Sequence, residues 1–325
     1  MDTLPFERAT VVKQTGNLYK ISFLPDWDPF QAVLSGKLRL KEGKLTNPVA
    51  VGDLVDGIMP AKPARVRGHE EPAVITYVHP RRNYLIRKSA NLSREAHIIA
   101  ANIDMAYLVL SATEPQTPLP FIDRFLVTCQ AYGVPATLLV NKYDELLSIP
   151  DYKDNSDHIS EIYTRAGYTV LNVSAFDGTG LKTLSMLLRD KISLFAGISG
   201  VGKSSLANTL DPSLSLKTAA ISSAHLTGKH TTTFYEMHPL TGGGFFIDSP
   251  GIKGFGLLEI NRSELYHFFP ELFAASAGCK YNSCLHINEP RCAVRDAVEN
   301  GLIPAERYTS YLKMLEDPQG GKYRT

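Results

Sequence analysis

The chain has 325 residues, room for two or three domains, and 44% of them are hydrophobic, enough to fill real cores. Its formal charge is +1, from 34 Lys and Arg against 33 Asp and Glu, so any nucleic-acid contact must come from local patches rather than from bulk charge. No apolar run reaches about 18 residues and the start, MDTLPFERAT, has neither a secretory pattern nor a lipidation signal, so no membrane span and a cytoplasmic location are expected.

Residues 1–80 read as short strands broken by turn signals: ATVVKQTGNLYKISFL, QAVLSGKLRL, NPVAVGDLVDGI and PAVITYVH. Alternating apolar and polar positions with recurrent Gly predict a small β-barrel. The oligonucleotide-binding (OB) type leads, although periodicity alone does not separate it from other small barrels. From Lys62 to Arg94, eight Lys and Arg stand against Glu70 and Glu71, a net of +6. That is the footprint of phosphate-backbone contact, with His79, Tyr77 and Tyr84 available for stacking on bases; a solvated linker face is the alternative.

From residue 81 to 262 strands and helices alternate. MAYLVLSA (105–112) and PATLLVN (135–141) are buried strands, FIDRFLVTCQAYG (121–133) a helix, and Cys129 within it a small core residue. A polar helix near 156–166, strand YTVLNVS (168–174), helix LKTLSMLLRD (181–190), strand 192–196 and the strands TFYEMHPL and GFFIDS follow. The pattern predicts a parallel-rich α/β sheet covered on both faces.

The motifs sit at the ends of these strands. GISGVGKSS, covering Gly197, Ile198, Ser199, Gly200, Val201, Gly202, Lys203, Ser204 and Ser205, fits a phosphate loop between strand and helix. Its backbone N–H groups suit a phosphate, Lys203 the outer phosphates, and the Ser204 hydroxyl a magnesium ion. Asn141, Lys142, Tyr143 and Asp144 form NKxD. A carboxylate at Asp144 accepts from N1–H and the exocyclic amine of guanine, whereas adenine would leave it unpaired. Ser174 and Ala175 fit the short loop that backs the base. In GKHTTTF (228–234) a threonine, Thr231 or Thr232, completes magnesium coordination, with Thr232 favoured; a plain strand start is the alternative. In DSPG, Asp248 would hold magnesium through water and the Gly251 N–H would touch the γ-phosphate. The cofactor and substrate expected are therefore Mg²⁺ and GTP, and an ATPase or guanylate-type kinase is disfavoured.

The motif order is unusual. The base-recognition loops at 141 and 174 precede the phosphate loop at 197, which predicts a circularly permuted P-loop GTPase. Residues 263–325 follow as a small helical domain containing Cys279, Cys284, His286 and Cys292, spaced CxxxxCxHxxxxxC. Three thiolates and an imidazole close a tetrahedral zinc site with no open position, a structural site for one Zn²⁺.

Together these features closely resemble the circularly permuted ribosome small-subunit-dependent GTPase A family. The likeness extends over essentially the whole chain: the barrel with its PRRN…RK segment (Pro80 to Asn83, Arg87, Lys88), the permuted core, GKHTTT, and the CxxxxCxHxxxxxC domain. It implies slow GTP hydrolysis stimulated by the small (30S) ribosomal subunit, rRNA binding, a role in late subunit maturation with hydrolysis coupled to release, and action as a monomer. Ile252 stands where many GTPases place a water-orienting Gln, and the family's replacement maps onto His230, expected with Lys203 to be catalytic. The alternative is a GTP-dependent rRNA-binding module in which hydrolysis is incidental.

Overall fold

The structure is a computed structural model that describes residues 3–39, 48–61, 65–66, 69–88, 96–146, 150–217, 235–249 and 260–316. The N-terminal strands are β1 (Thr3–Thr15), β2 (Leu18–Ser22) and β3 (Phe30–Leu34), followed by a helical turn α1 (Gly36–Arg39) and β4 (Leu54–Pro60). A two-residue ribbon, β5 (Arg65–Val66) and β6 (His69–Glu70), leads to β7 (Ala73–Val78).

Strand order β1-β2-β3-β7-β4 closes through a direct β1–β4 pairing, with β3 and β7 parallel. That is the connectivity of an OB barrel, which periodicity had left open. The closure depends on a bulge in β1 between Phe6 and Ala9, where Arg8 takes φ 56°. It also depends on Gly57, since a Cβ there would meet Val74 O at 2.2 Å and the Phe6 ring at 2.6 Å. Alternate inward residues, among them Val11, Tyr19, Ile21, Val55 and Ile75, fill the interior.

A hairpin of β8 (Tyr84–Lys88) and β9 (Ala96–Ala101) connects to the α/β unit. That unit runs β10 (Met105–Ser111), α2 (Leu119–Ala131), β11 (Ala136–Asn141), α3 (Tyr143–Leu146), α4 (Pro150–Arg165), β12 (Thr169–Asn172), α5 (Leu181–Leu188), β13 (Ile192–Ala196), α6 (Lys203–Leu210), β14 (Glu236–Pro239) and β15 (Phe245–Asp248). The order is β12-β11-β10-β13-β15-β14, parallel except for the antiparallel β14–β15 pair. Nearly every residue of β10, β11 and β13 is buried, as expected of central strands with helices on both faces. Cys129 lies in this core, where burial pushes its thiol well up.

The sheet does not stop at β14. Lys13 of β1 pairs in register with Glu236, so barrel and α/β sheet form one hydrogen-bonded order of 11 strands. Trp27 of the barrel packs against Phe245 with ring centroids 5.8 Å apart.

The C-terminal part holds a 3₁₀ turn (Arg262–Phe268), α7 (Pro270–Ser276), α8 (Ala293–Glu299) and α9 (Ala305–Glu316). Its own core, around Leu265, Phe269, Leu272, Tyr311 and Met314, takes in Val127 of α2. The two units are further locked by Arg307, fully buried. Its guanidinium donates to Asp123 of α2 (2.6 Å) and to both oxygens of Glu271 (2.6 and 3.3 Å), and it lies 4.7 Å from the Phe269 ring centroid. Tyr163 of α4 donates to the same Asp123 oxygen at 2.8 Å.

Candidate nucleotide and metal sites

Strand β13 delivers the chain into the loop 197–202, and α6 begins at Lys203. The loop turns on glycines. Gly197 has φ 150°, and a Cβ there would lie 2.5 Å from Val109 O; Gly202 has φ 90°, and a Cβ would lie 2.4 Å from Asn141 Nδ2. Only glycine lets the loop pass this close to β10 and β11. Ser199 and Gly200 remain exposed at its tip, Val201 is buried beneath it, and Ser204 and Ser205 open α6.

Lys203 is buried and folds back over the loop, donating to Gly197 O (2.9 Å) and Ile198 O (2.8 Å). Burial pulls its ammonium down to about 8, against the opposing pull of Asp248. Asp248 ends β15 beside it. Burial raises that carboxyl, with Lys203 and His238 acting the other way. Ser249, just past the strand, donates to Phe195 O of β13.

The two base-recognition segments meet the loop from the neighbouring strands. Asn141, at the end of β11, donates through Nδ2 to Val201 O at 2.9 Å, while its buried Oδ1 has no partner among the described residues. Lys142 takes φ 61° and reaches Glu114 O at 2.5 Å, and Tyr143 N donates to Val173 O at 3.2 Å. Asp144 Oδ1 accepts the Ser174 hydroxyl at 2.5 Å. That hydroxyl in turn accepts from Phe176 N and Asp177 N at 3.0 and 3.1 Å. Ala175 O accepts from Thr209 of α6 at 3.1 Å, closing the ring of contacts. Parallel strands β11, β10, β13 and β15 end on one edge, and there the structure gathers Asn141, Lys142, Tyr143, Asp144, Ser174, Ala175, residues 197–205 and Asp248. His230, Thr231, Thr232, Gly251 and Ile252 lie outside the described residues.

The contacts of Glu114, Thr113 and Thr209 are invisible to motif reading. Thr113 donates to Glu145, and the Glu114 carbonyl takes Lys142, so the loop after β10 braces the NKxD turn. A Thr or Glu outside a motif gives no sequence signal of this.

The second cluster is Cys279, Cys284, His286 and Cys292, whose ligand atoms all lie within 4.8 Å of one another. Cys279 Sγ is 3.6 Å from His286 Nδ1 and 4.0 Å from Cys292 Sγ, and Nδ1 is 3.4 Å from Cys292 Sγ. Tetrahedral zinc bonds imply sulfur–sulfur edges of about 3.8 Å and sulfur–nitrogen edges of about 3.5 Å, so the donor set and its spacing fit the ion. Burial pushes the Cys284 thiol up to about 12 and raises that of Cys292. Glu289 holds the ligand loop, accepting from the N–H groups of Leu285, Ile287 and Asn288 at 2.8, 2.8 and 3.0 Å. Burial alone would raise its carboxyl; these donors bring it below the usual range.

Of the eight cations in the basic stretch the side chains of two, Arg81 and Arg82, are described, and both are paired within the fold. Arg81, partly exposed, donates two 2.7 Å hydrogen bonds to the fully buried Asp53 and also reaches Pro48 O. Arg82 pairs with Asp104 at 2.6 Å, and His79 with Asp56 at 2.7 Å. Tyr84 packs on Tyr132, with centroids 5.0 Å apart, and Tyr77, half exposed, meets the His79 ring edge-on at 5.1 Å. Charge counting cannot see that a cation is already paired. The side chains of Lys62, Arg65, Arg67, Arg87, Lys88 and Arg94 lie outside those described.

The family model described as RsgA GTPase matches residues 78–258. Similar curated relatives include a small ribosomal subunit biogenesis GTPase RsgA of Bacteroides fragilis, 46% identical over 98% of this chain and 99% of its own length. One of the same name from Porphyromonas gingivalis is 48% identical over 97% and 98%. Among solved structures, YjeQ from Thermotoga maritima superposes with TM-score 0.73 at 32% identity, covering 97% of this chain and 98% of its own. YloQ, described as a circularly permuted GTPase, does so with TM-score 0.70 at 27% identity over 96% and 95%.

Proposed function

The chain belongs to the RsgA GTPase family, and from that premise we propose that it hydrolyses GTP in the biogenesis of the small ribosomal subunit, as a cytoplasmic monomer that contacts rRNA. The observation that carries the reading is the convergence of the phosphate loop, the Asn141–Val201 link and the Asp144–Ser174 pair on one sheet edge, in permuted order. No helix among the described residues is long and apolar enough to cross a membrane. We divide the chain into an OB domain (1–80), the permuted GTPase (81–262) and a zinc domain (263–325).

Asp144, held by Ser174, accepts from guanine N1–H and the exocyclic amine, with Ala175 behind the base. The N–H groups of 197–205 cradle the phosphates at the start of α6. Lys203 exchanges its Gly197 and Ile198 carbonyl partners for β- and γ-phosphate oxygens. Ser204 and Thr232 would hold Mg²⁺, Asp248 would reach it through water, and the Gly251 N–H would meet the γ-phosphate. When bound, that ion neutralises charge on the phosphates. His230 orients the attacking water in place of a glutamine, since Ile252 has no hydrogen-bonding group, and it does so when the subunit docks. Cys279, Cys284, His286 and Cys292 would hold one Zn²⁺ that supplies fold stability.

GTP turnover measured with and without purified small subunits at several salt concentrations, with Lys203→Ala as blank, tests the reading. Large stimulation that falls with salt is expected. Subunit binding without stimulation would make the protein an rRNA-binding module with incidental hydrolysis, and no response would remove the ribosomal partner. His230→Ala is expected to keep GTP affinity and lose stimulated turnover.

A further inference from the structure

Lys142, inside the NKxD turn, holds φ 61°, a left-handed backbone that a residue with a side chain keeps only where its surroundings over-determine it. One segment, residues 112–118 between β10 and α2, supplies three of the restraints. Ala112 N donates to Asn141 O at 2.9 Å, the Thr113 hydroxyl donates to Glu145, and the Glu114 carbonyl accepts from Lys142 Nζ at 2.5 Å. Thr113 is buried, and its own N–H donates to the Ser111 hydroxyl at 3.3 Å, so both its backbone and its side chain are tied down. The same segment reaches the phosphate loop: a Cβ at Gly200 would lie 3.3 Å from Pro115 Cγ. Base turn and phosphate loop therefore share one wall, in addition to their direct Asn141–Val201 link.

Asp144 stands between Lys142 and Glu145, the two residues this segment holds by their side chains. Its carboxylate is fixed from the other side by the Ser174 hydroxyl at 2.5 Å. Placement matters because guanine differs from hypoxanthine by its exocyclic amine alone, and a carboxylate accepts from N1–H and that amine together only when it lies squarely on the base edge. We propose that Thr113 is a positioning residue for Asp144, acting through Glu145, and that it sets how strongly the protein prefers guanine to a purine without the amine. Guanine specificity then depends on the loop after β10 as well as on NKxD itself. The inference rests on the reading above, in which Asp144 accepts from the base.

The test is the ratio of dissociation constants of the full chain for ribose-labelled fluorescent IDP and GDP. A partly unfolded variant binds both nucleotides less by the same factor, so the ratio reports placement of Asp144 and not stability. Thr113→Val is expected to lower the ratio about two- to tenfold, the range of one hydrogen bond, and Thr113→Ser, which keeps the hydroxyl, to retain it. Glu145→Ala removes the same bond from its exposed partner and is expected to match Thr113→Val; it carries the test alone if the Val variant does not fold. The double variant is expected to lose no more than either single one. A wild-type ratio in either single variant, additive losses in the double variant, or a Ser variant as impaired as the Val variant overturns the inference. Asp144→Asn separates the two levels. If it collapses the ratio while Thr113→Val and Glu145→Ala do not, only the positioning role fails; if it leaves the ratio unchanged, the base reading of Asp144 fails and the inference with it.

Discussion

Arg307→Met is expected to unlatch the zinc domain from the GTPase core. The variant deletes the guanidinium hydrogen bonds to Asp123 and Glu271, at 2.6 and 2.6 Å with a third at 3.3 Å, and leaves two carboxylates almost wholly buried without their cation. Breaking a buried pair by removing one partner costs about 3–5 kcal/mol, because the remaining charge is uncompensated. Tyr163 still donates to Asp123, but Glu271 keeps no such partner among its described contacts, which favours the upper half of that range. For a chain of this size each kcal/mol moves the melting midpoint by about 2–4 °C, so a drop on the order of 10 °C is expected. Scanning calorimetry reads the midpoint, and hydrogen exchange over α7 and α9 locates the loss. Arg307→Lys is expected to recover little, since one ammonium cannot span both carboxylates and lie on the Phe269 ring. A midpoint within about 2 °C of wild type, with α7 and α9 still protected, would refute the latch.

Three other perturbations separate site from scaffold. Gly202→Ala forces a Cβ to within 2.4 Å of Asn141 Nδ2 at φ 90°; strain of about 1–3 kcal/mol should weaken GTP binding at least about fivefold, measured by titration with a fluorescent nucleotide. Elemental analysis is expected to find one zinc per chain, and chelation, or Cys284→Ser, to remove it and to abolish exchange protection over residues 260–316, because so small a core would lean on its metal; intact protection in metal-free protein would count against a structural ion. Arg81→Met strands the fully buried Asp53 and should destabilise the fold by about 3–5 kcal/mol in denaturant titrations, while the salt dependence of RNA binding stays unchanged, opposite to what a phosphate contact would give.

What the sequence disclosed and what it withheld divide by range. The phosphate loop, NKxD and the Cys and His spacing are local: each needs a few consecutive residues and a flanking strand, and their order alone exposed the permutation. The barrel was legible as a barrel, but its OB identity lay in β3 pairing parallel with β7 and β1 closing on β4, which alternation cannot specify. Element ends drifted by a few residues; the polar helix expected near 156–166 begins at Pro150, because Pro is tolerated in a first turn where no N–H is needed.

Charge was the least legible property, because its meaning is fixed by partners far away in the chain. Arg81 and Arg82 look alike side by side, yet one pairs with the fully buried Asp53 and the other with Asp104 at the surface. Arg307 finds Asp123 across 184 residues, and Lys13 finds Glu236 across 223. In both cases the partner belongs to the GTPase unit and the cation to an appended domain, one at each end of the chain. The permutation joins the usual last strand to the first and opens the fold elsewhere, so the unit is entered at β10 and left after β15; the barrel pairs with edge strand β14 and the C-terminal part packs on α2. A GTPase unit tied by ion pairs to the segments on both of its flanks has a physical route by which what either flank binds can be felt in the core.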